Sequence, residues 1–503
     1  MASTPQFDPP AIGPALTFRR ELLMFAGAAL LILAGAAIAG AGHALTTLAL
    51  LICLITAIPL VMNSRQLDLF SPWNYMFYFV ILNVLVRSGF IDFGINGDVV
   101  DLNEVFYLDK PPAFMIDSML VMLAGYSFLT LGYMLPANRP IPLRARIFTT
   151  EQFSRTRFKV ALALMLLTSL GALIAFIALT FTSVGDFALG MLSKHRGLSD
   201  DLGEYKAYGY LRLLIGLSTI VAYLSYLRLR TGRRDRGFYR LCFALSILIS
   251  LAMAFYSQSR SALVFVFINL IFIKYYLDGQ RFPWRIFLIF APIAVALFFV
   301  TSALRTGSGV ELGGRLSPMT IVAPIILNNG GMDASKTGHV IDYVDQTQDY
   351  WLGGTLIQFM FAAVPRQIWP NKPVNMDTYI GEKIYGAETY GSAAVPPGLF
   401  SEMYMNYWYA GILMGALLLG MLMKKINNLL IANKRNRNFI ILYVMCLQPV
   451  GMSVLGSGVS STVMAVLMSG APLIAVLYAV TPRYPLHRRD QTARSTASRP
   501  TPY

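Results

Sequence analysis

Long apolar runs separated by short polar stretches make up most of this chain. Each run holds about 17 to 25 residues, which is the length an α-helix needs to cross the hydrocarbon core of a bilayer. The pattern predicts an all-α polytopic membrane protein with about twelve transmembrane helices. The twelve windows are residues 21–41, 43–62, 72–94, 114–135, 159–183, 208–229, 239–257, 261–277, 285–304, 398–423, 438–456 and 461–481.

The polar stretches predict the domain organisation. Residues 1–17 lack the basic start and short apolar core of a cleavable signal peptide, so we expect the first helix to be an uncleaved anchor. The last segment is rich in Arg, Thr, Ser and Pro, a composition typical of disorder. In order, we expect a cytoplasmic tail (1–20), nine helices with short loops (21–303), a large outward loop (304–397), three helices (398–481) and a disordered cytoplasmic tail (482–503).

Composition and charge support this topology. Of the 503 residues 56% are hydrophobic and only 13% are charged, against about 25% charged in soluble domains. The net charge is +15, and most of the 41 Lys and Arg residues fall in the segments that would be cytoplasmic if both termini were inside. The basic balance is thus explained by membrane orientation and by contact with anionic lipid, and nucleic acid is not expected as a partner.

The loop at 304–397 is much longer than an ordinary connector, which points to function. Its residues 363–373 contain three prolines, a Trp, Arg366 and Lys372. Proline fixes φ and biases the preceding residue toward extended backbone, so the two cations stand on a stiff segment suited to an anionic ligand. A rigid connector with two solvated charges is the alternative. Short apolar runs at 321–327 and 356–364 are interpreted as amphipathic pieces at the interface.

Soluble-enzyme motifs are absent. There is no P-loop, no glycine-rich dinucleotide motif, no HExxH and no Cys/His metal spacing, and Cys53, Cys242 and Cys446 all lie in apolar windows. We therefore expect no cofactor and no metal.

Several arginines occupy positions where arginine is costly. Arg87 and Arg212 fall inside apolar windows, where they either pair, face a ligand or extend toward the headgroups. Arg260 lies in a short outward hairpin, and Arg305 lies at the outer end of the ninth window. Guanidinium groups pair bidentately with phosphate oxygens, so converging arginines, with Arg366 among them, would suit a diphosphate.

Glu402 is the best candidate for a general base that deprotonates an acceptor hydroxyl. It lies at the outward start of the tenth window, where partial burial would move its protonation toward neutral pH. The alternative is a carboxylate that stabilises a helix start or holds an arginine in place. His195 and His339 are weaker outward candidates.

Three sequence blocks together resemble the Wzy family of oligosaccharide repeat-unit polymerases. The blocks are Tyr-Trp-Leu-Gly-Gly-Thr at 350–355, Pro-Arg-x-x-Trp-Pro-x-Lys-Pro at 365–373, and Gly-Leu-Phe-Ser-Glu-Met-Tyr-Met-Asn at 398–406 before Gly411 and Gly415. The chain departs from the family pattern in two places. Ser401 stands where the family often has Gly, and Tyr407-Trp408 follows Asn406 where the family often has Phe-Gly.

The resemblance implies a membrane glycosyltransferase of O-antigen or other surface polysaccharide biosynthesis, with a fold similar to C-type glycosyltransferases. Such an enzyme transfers an undecaprenyl-diphosphate-linked chain onto a lipid-linked repeat unit at the periplasmic face of the bacterial inner membrane. A chain-length regulator and a flippase are candidate protein partners. In such an enzyme we expect Arg366 and Arg305 to bind the donor diphosphate. Arg260 would assist this binding, and Lys372 would steer the donor into place. Glu402 positions or deprotonates the acceptor. Further candidates are Arg196, Tyr404 and Trp369.

Two other functions share this topology. An O-antigen ligase would transfer the glycan to lipid A core, but related ligases carry a His-Asn pair in the large loop, whereas His339 is followed here by Val340. A lipid-linked oligosaccharide transporter would show inverted repeats and broken helices with polar midplane residues, which we do not find.

Overall fold

The computed structural model describes residues 43–62, 68–92, 112–135, 142–143, 145–149, 154–180, 209–232, 234–256, 260–293, 296, 334–362, 364, 369, 371–386 and 395–481. These residues form helices and turns, and no strand occurs among them. The helices are α1 (Ala44–Met62), α2 (Pro72–Asp92), α3 (Pro112–Met134), α4 (Arg146–Thr149), α5 (Arg155–Thr180), α6 (Gly209–Thr231), α7 (Arg236–Tyr256), α8 (Arg260–Leu277), α9 (Trp284–Ile293), α10 (Ala334–Thr347), α11 (Gln358–Ala362), α12 (Met376–Lys383), α13 (Gly398–Asn433), α14 (Arg437–Ser457) and α15 (Val459–Val480).

Nine described helices are long and apolar enough to cross a membrane, namely α1, α2, α3, α5, α6, α7, α13, α14 and α15. Each coincides with a window predicted from the sequence, so the chain is an all-α, multi-pass membrane protein. Helices α8 and α9 occupy two further windows, although their described apolar parts are shorter. The window at 21–41 lies outside the described residues, so the total of twelve stays a prediction.

The described part of the segment predicted as a large loop is helical in three places. Helix α10 is amphipathic, and its buried residues include Val340 and Val344. Helices α11 and α12 are short, and α11 lies within the apolar run predicted at 356–364. The apolar run at 321–327 lies outside the described residues.

The chain divides into two compact units. The described residues within Met1–Arg139, Arg315–Ile431 and Gln448–Thr462 belong to unit 1, and those within Pro140–Gly314, Ala432–Leu447 and Val463–Tyr503 belong to unit 2. In unit 1, α3 packs against α1 and α10. Its core holds the fully buried aromatic rings of Trp73, Tyr126, Tyr133 and Tyr404. Trp73 donates from Nε1 to the Thr56 carbonyl at 2.9 Å, which satisfies the polar edge of that ring.

Glycines bring α3 and α13 into backbone contact within unit 1. A Cβ added at Gly132 would lie 2.1 Å from the Leu417 carbonyl oxygen, and one added at Gly420 would lie 2.1 Å from the Leu129 carbonyl oxygen. Both distances are far below a van der Waals contact. Apolar surface drives little association between helices in lipid, so small residues that allow such close packing stabilise these interfaces.

Gly420→Ala is therefore expected to lower the stability of the purified protein by about 1–3 kcal/mol, because the methyl group forces two backbones apart. Thermal unfolding in detergent measures the effect. Gly171→Ala in α5 is the matched control, since nothing lies within 4 Å of a Cβ built there. Equal melting temperatures for the two variants would contradict the close packing.

Unit 2 is centred on α6, which packs against α5 and α7. Two buried hydroxyls of α6 and α7, those of Ser218 and Ser250, share a hydrogen bond of 2.8 Å. Arg212, near the start of α6, places its guanidinium over the Phe176 and Tyr256 rings, 5.5 Å and 5.7 Å from their centroids. This charge in an apolar window is therefore stabilised by aromatic faces.

Two other features of the apolar windows concern single side chains. Arg87 of unit 1 is only 5% exposed, so its side chain lies inside the protein and extension toward the headgroups is wrong for this residue. Cys53 and Cys242 are buried, Cys446 is partly buried, and all three are free thiols.

Candidate functional site

Glu402 lies on the first turns of α13 and is fully buried in unit 1. Both of its carboxylate oxygens accept hydrogen bonds. Thr355 donates its hydroxyl to Oε1 at 3.1 Å, and the backbone N–H groups of Val459 and Ser460, at the start of α15, donate to the carboxylate. A carboxylate at a helix N-terminus is stabilised by the unpaired amides and by the helix dipole. Glu402 thus joins α13, α15 and the turn that precedes α11.

Gly458 makes this approach possible. Its φ is +89°, and a Cβ built there would lie 2.4 Å from the Glu402 Oε2 atom. Any larger residue would be strained at this positive φ, and its Cβ would collide with the carboxylate. Only glycine therefore fits between α13 and α15.

Asn406, one turn after Glu402, extends the same network. Its amide Nδ2 donates to the Thr355 hydroxyl at 2.5 Å and to the Glu402 carbonyl at 2.7 Å, and its Oδ1 accepts from the Gly353 N–H at 2.8 Å. Asn406 is fully buried. The network therefore fixes the turn at 351–356 against the start of α13, with each of these polar groups satisfied.

Further contacts hold the outer segment to α13. The Trp351 N–H donates to the Met405 carbonyl at 2.8 Å, and the Tyr404 hydroxyl donates to the Asp345 carboxylate of α10. The Trp351 ring meets the Tyr379 ring edge-on, with centroids 5.2 Å apart. Tyr404, a predicted candidate, thus links two helices of unit 1.

Helix α13 breaks sharply just after this network, so the expectation that the chain has no broken helix is wrong. Tyr407 (φ −145°, ψ 26°) and Trp408 (φ 57°, ψ −154°) leave the helical region. A Cβ built at Gly411 would lie 2.3 Å from the Met403 carbonyl oxygen, and one at Gly415 would lie 2.5 Å from the Met403 sulfur. Residues eight and twelve positions apart in a straight helix would not touch, so the chain turns back on itself here.

An apolar groove of about 820 Å³ opens beside the break. Its volume is within the range of ligand-binding pockets. Asn406 lies at its wall, so the polar network and the groove share a residue. The groove belongs to unit 1 and is lined by Tyr350, Leu352, Leu356, Met403, Asn406, Tyr407, Trp408, Ala410, Gly411, Met414, Gly415 and Leu418.

A second carboxylate, Asp377 in the first turn of α12, lies close enough to Glu402 for the two charges to repel. Burial raises the pKa of Asp377 to about 6, and the Lys336 ammonium opposes that shift. Lys336 itself donates to the Pro396 carbonyl at 3.2 Å, and the Asp377 carbonyl accepts from the Val395 N–H at 2.9 Å. These bonds hold the chain just before α13 in place.

Asp377 is expected to make stability depend on pH. The folded protein holds its proton more tightly than the unfolded chain, whose Asp pKa is about 3.9. Its contribution is therefore complete below about pH 4 and is lost as the pH rises through about 6. The loss is on the order of 1–3 kcal/mol. In Asp377→Asn the melting temperature should depend less on pH between these values. The control Asp349→Asn, at an exposed position, should leave the pH dependence unchanged. An unchanged pH profile in Asp377→Asn would contradict this.

The structure describes four of the predicted site side chains. Besides Glu402 and Tyr404, Lys372 donates from Nζ to the Val364 carbonyl at 3.0 Å, and Trp369 meets the Phe361 ring edge-on with centroids 5.5 Å apart. Lys372 thus braces the loop that carries it. Arg196, Arg305 and Arg366 lie outside the described residues, and Arg260 begins α8 with its side chain undescribed. The assignment of these cations to a diphosphate stays a prediction.

The sequence interpretation did not single out Thr355, Asn406 and Gly458, which surround Glu402. The first two lie in blocks that carry the family resemblance, where their polar side chains next to an apolar helix were the available signal. His339 packs between the Phe114 and Tyr385 rings, at 5.0 Å and 5.8 Å between centroids. Among the described residues no group of three His, Cys, Asp or Glu side chains could hold a metal ion.

Comparison of the chain with models of protein families, with curated proteins and with solved structures found no match. The family resemblance therefore remains a prediction from the sequence motifs alone.

Proposed function

We propose that this membrane protein polymerises lipid-diphosphate-linked oligosaccharide repeat units at the outer face of the bacterial cytoplasmic membrane. One observation carries the proposal: a buried polar network around Glu402 and an apolar groove of about 820 Å³ share a wall at Asn406. The groove offers an apolar surface for the hydrocarbon chain of a lipid-linked sugar, and the buried network holds the groove wall and the turn at 351–356 in place.

The proposed reaction needs no outside energy source. The acceptor hydroxyl attacks the anomeric carbon of the donor chain, a new glycosidic C–O bond forms, and the C–O bond to the diphosphate breaks. The lipid diphosphate leaves with the bonding electrons, and the hydroxyl proton passes to a base. The diphosphate is proposed to be held by Arg366, Arg305, Arg260 and Lys372. Its negative charge grows as the bond breaks, and planar guanidinium groups stabilise that charge best.

Glu402 is proposed to position the site. Its burial and the donors to both carboxylate oxygens support this role over proton transfer, because a base must reach the acceptor hydroxyl. Through Asn406 and Thr355 the carboxylate fixes the groove wall and the turn at 351–356.

Purified full-length protein, given undecaprenyl-diphosphate-linked repeat units in EDTA without nucleotide, should produce a ladder of longer glycans. A requirement for added Mg²⁺ or Mn²⁺ would contradict the proposed metal-independent chemistry. A product formed only with lipid A core as acceptor would identify a ligase. Transbilayer movement of the lipid without any new glycosidic bond would identify a transporter.

A further inference from the structure

Two bulky apolar residues in the groove have unusual backbone conformations. The described residues include five non-glycine residues with positive φ, namely Asp235, Gln280, Gln348, Leu352 and Trp408. The first three are polar and lie at turns or after helices. Leu352 and Trp408 are the two large apolar members, and both line the groove. Positive φ is uncommon for bulky residues and marks strain.

Trp408 has the more unusual conformation of the two. Its φ of 57° and ψ of −154° fall in a region that essentially only glycine occupies. Other parts of the protein bury the indole only partly, since Trp408 is 53% exposed and its ring meets Tyr409 edge-on at 5.1 Å. Folding alone would therefore favour glycine here. A strained residue that persists without packing well is a sign of function.

Glycine and methionine residues make up part of the remaining lining of the groove. Gly411 and Gly415 contribute no side chains, and Met403 and Met414 contribute flexible ones. Leu352, 77% exposed, stands at the turn that the Asn406 amide holds through Gly353. Both strained side chains thus contribute apolar surface to a groove that is lined in part by flexible methionine side chains.

We propose that Leu352 and Trp408 are specificity-determining residues that bind the isoprenoid chain of the lipid-linked substrate, an inference that rests on the proposed function. The choice of an isoprenoid carrier over bulk phospholipid follows from the position of the groove. Asn406 lies in the wall of the groove, one turn after Glu402, so a lipid seated there lies beside the network that we propose positions the site. Of the two lipids, the lipid-linked substrate is the one that reacts at that site, and its isoprenoid chain is therefore taken as the occupant.

Two substitutions at Trp408 separate strain from binding. Trp408→Ala removes the indole but keeps a Cβ in the glycine-only region, whereas Trp408→Gly removes both. With undecaprenyl monophosphate as the probe and full-length protein in detergent, both variants should bind about tenfold more weakly, the loss expected for one aromatic contact. Only Trp408→Gly should melt higher than the wild type, by about 2 °C, because the strain is relieved.

Control variants make the experiment specific. Gln280→Gly replaces a positive-φ residue that does not line the groove, so the probe should bind to it as to the wild type. Leu352→Asn introduces a residue that tolerates positive φ and removes the apolar side chain. It should therefore weaken probe binding without lowering the melting temperature. It also tests the groove if either Trp408 variant folds poorly.

Wild-type affinity in Trp408→Gly and Leu352→Asn would overturn the inference, as would equal melting temperatures for Trp408→Ala and Trp408→Gly. Equal losses of affinity for dioleoyl phosphatidylglycerol and for the probe would also overturn it, because the groove would then be a bulk-lipid contact. If the variants lose the probe selectively while wild-type protein makes no polymer from lipid-linked repeat units, the isoprenoid site stands and the proposed polymerase function fails.

Discussion

Arg366→Lys is expected to lose nearly as much polymer formation as Arg366→Ala, roughly 10²- to 10³-fold in turnover. The reason is geometric. The planar guanidinium donates two parallel hydrogen bonds to a diphosphate, whereas the lysine ammonium is a point charge that cannot reproduce this fork. The proline-rich block at 365–373 supports the role because its backbone loses little further freedom when a ligand binds. Initial rates of the purified variants measure the effect.

Expression-matched complementation of a polymerase-deficient strain provides a second measurement, in which surface-glycan ladders are compared. Arg157→Lys is the matched control, because Arg157 is exposed on the first turn of α5 and has no proposed role. Full-length ladders from Arg366→Lys would show that charge alone suffices and would remove the bidentate role.

Glu402→Gln is expected to reduce stability more than turnover. A glutamine amide replaces one acceptor oxygen with a donor, which would face the Val459 N–H, the Ser460 N–H or the Thr355 hydroxyl. A buried donor left without an acceptor costs about 1–3 kcal/mol. The melting temperature and yield should therefore fall, while turnover per folded molecule drops by less than about tenfold. Rates, donor affinity and melting curves from one detergent preparation measure all three.

The same change at Glu382 of α12, a partly exposed carboxylate, is the control for Glu402 and should leave stability within about 0.5 kcal/mol. If Glu402→Gln instead folds normally, binds lipid-linked donor as the wild type does and turns over about 10²-fold more slowly, Glu402 is the general base. The positioning role would then be wrong.

The membrane helices could be predicted from the sequence because length and apolarity alone decide that a segment crosses a bilayer. Their ends were less predictable. Helix α13 continues ten residues past the window at 398–423, to Asn433, since helical hydrogen bonding does not stop where hydrophobicity falls. Helix α10 was not predicted either. Its mixed composition is that of a polar loop, and its buried face is explained only by its packing against α3.

The candidate site was predictable in its charged residue and not in its geometry. Glu402 was singled out as a candidate general base at the outward start of an apolar segment. The backbone N–H groups that donate to it from the start of α15 lie more than fifty positions away in the chain, and no local sequence pattern specifies such a contact. The break at Tyr407 and Trp408 contains no proline or glycine, so the usual signals of a helix break are missing. Met403, before the break, lies against Gly411 and Gly415 after it.

The three free cysteines simplify the direct mapping of topology. Cys53 and Cys242 are buried and Cys446 is partly buried, each within a helix able to cross the membrane. A membrane-impermeant maleimide should therefore label the native protein weakly, and the wild-type chain can serve as its own background. One cysteine introduced at exposed Gln346 of α10, and another at exposed Arg435 after α13, would then report from which side of an intact cell each segment is reached.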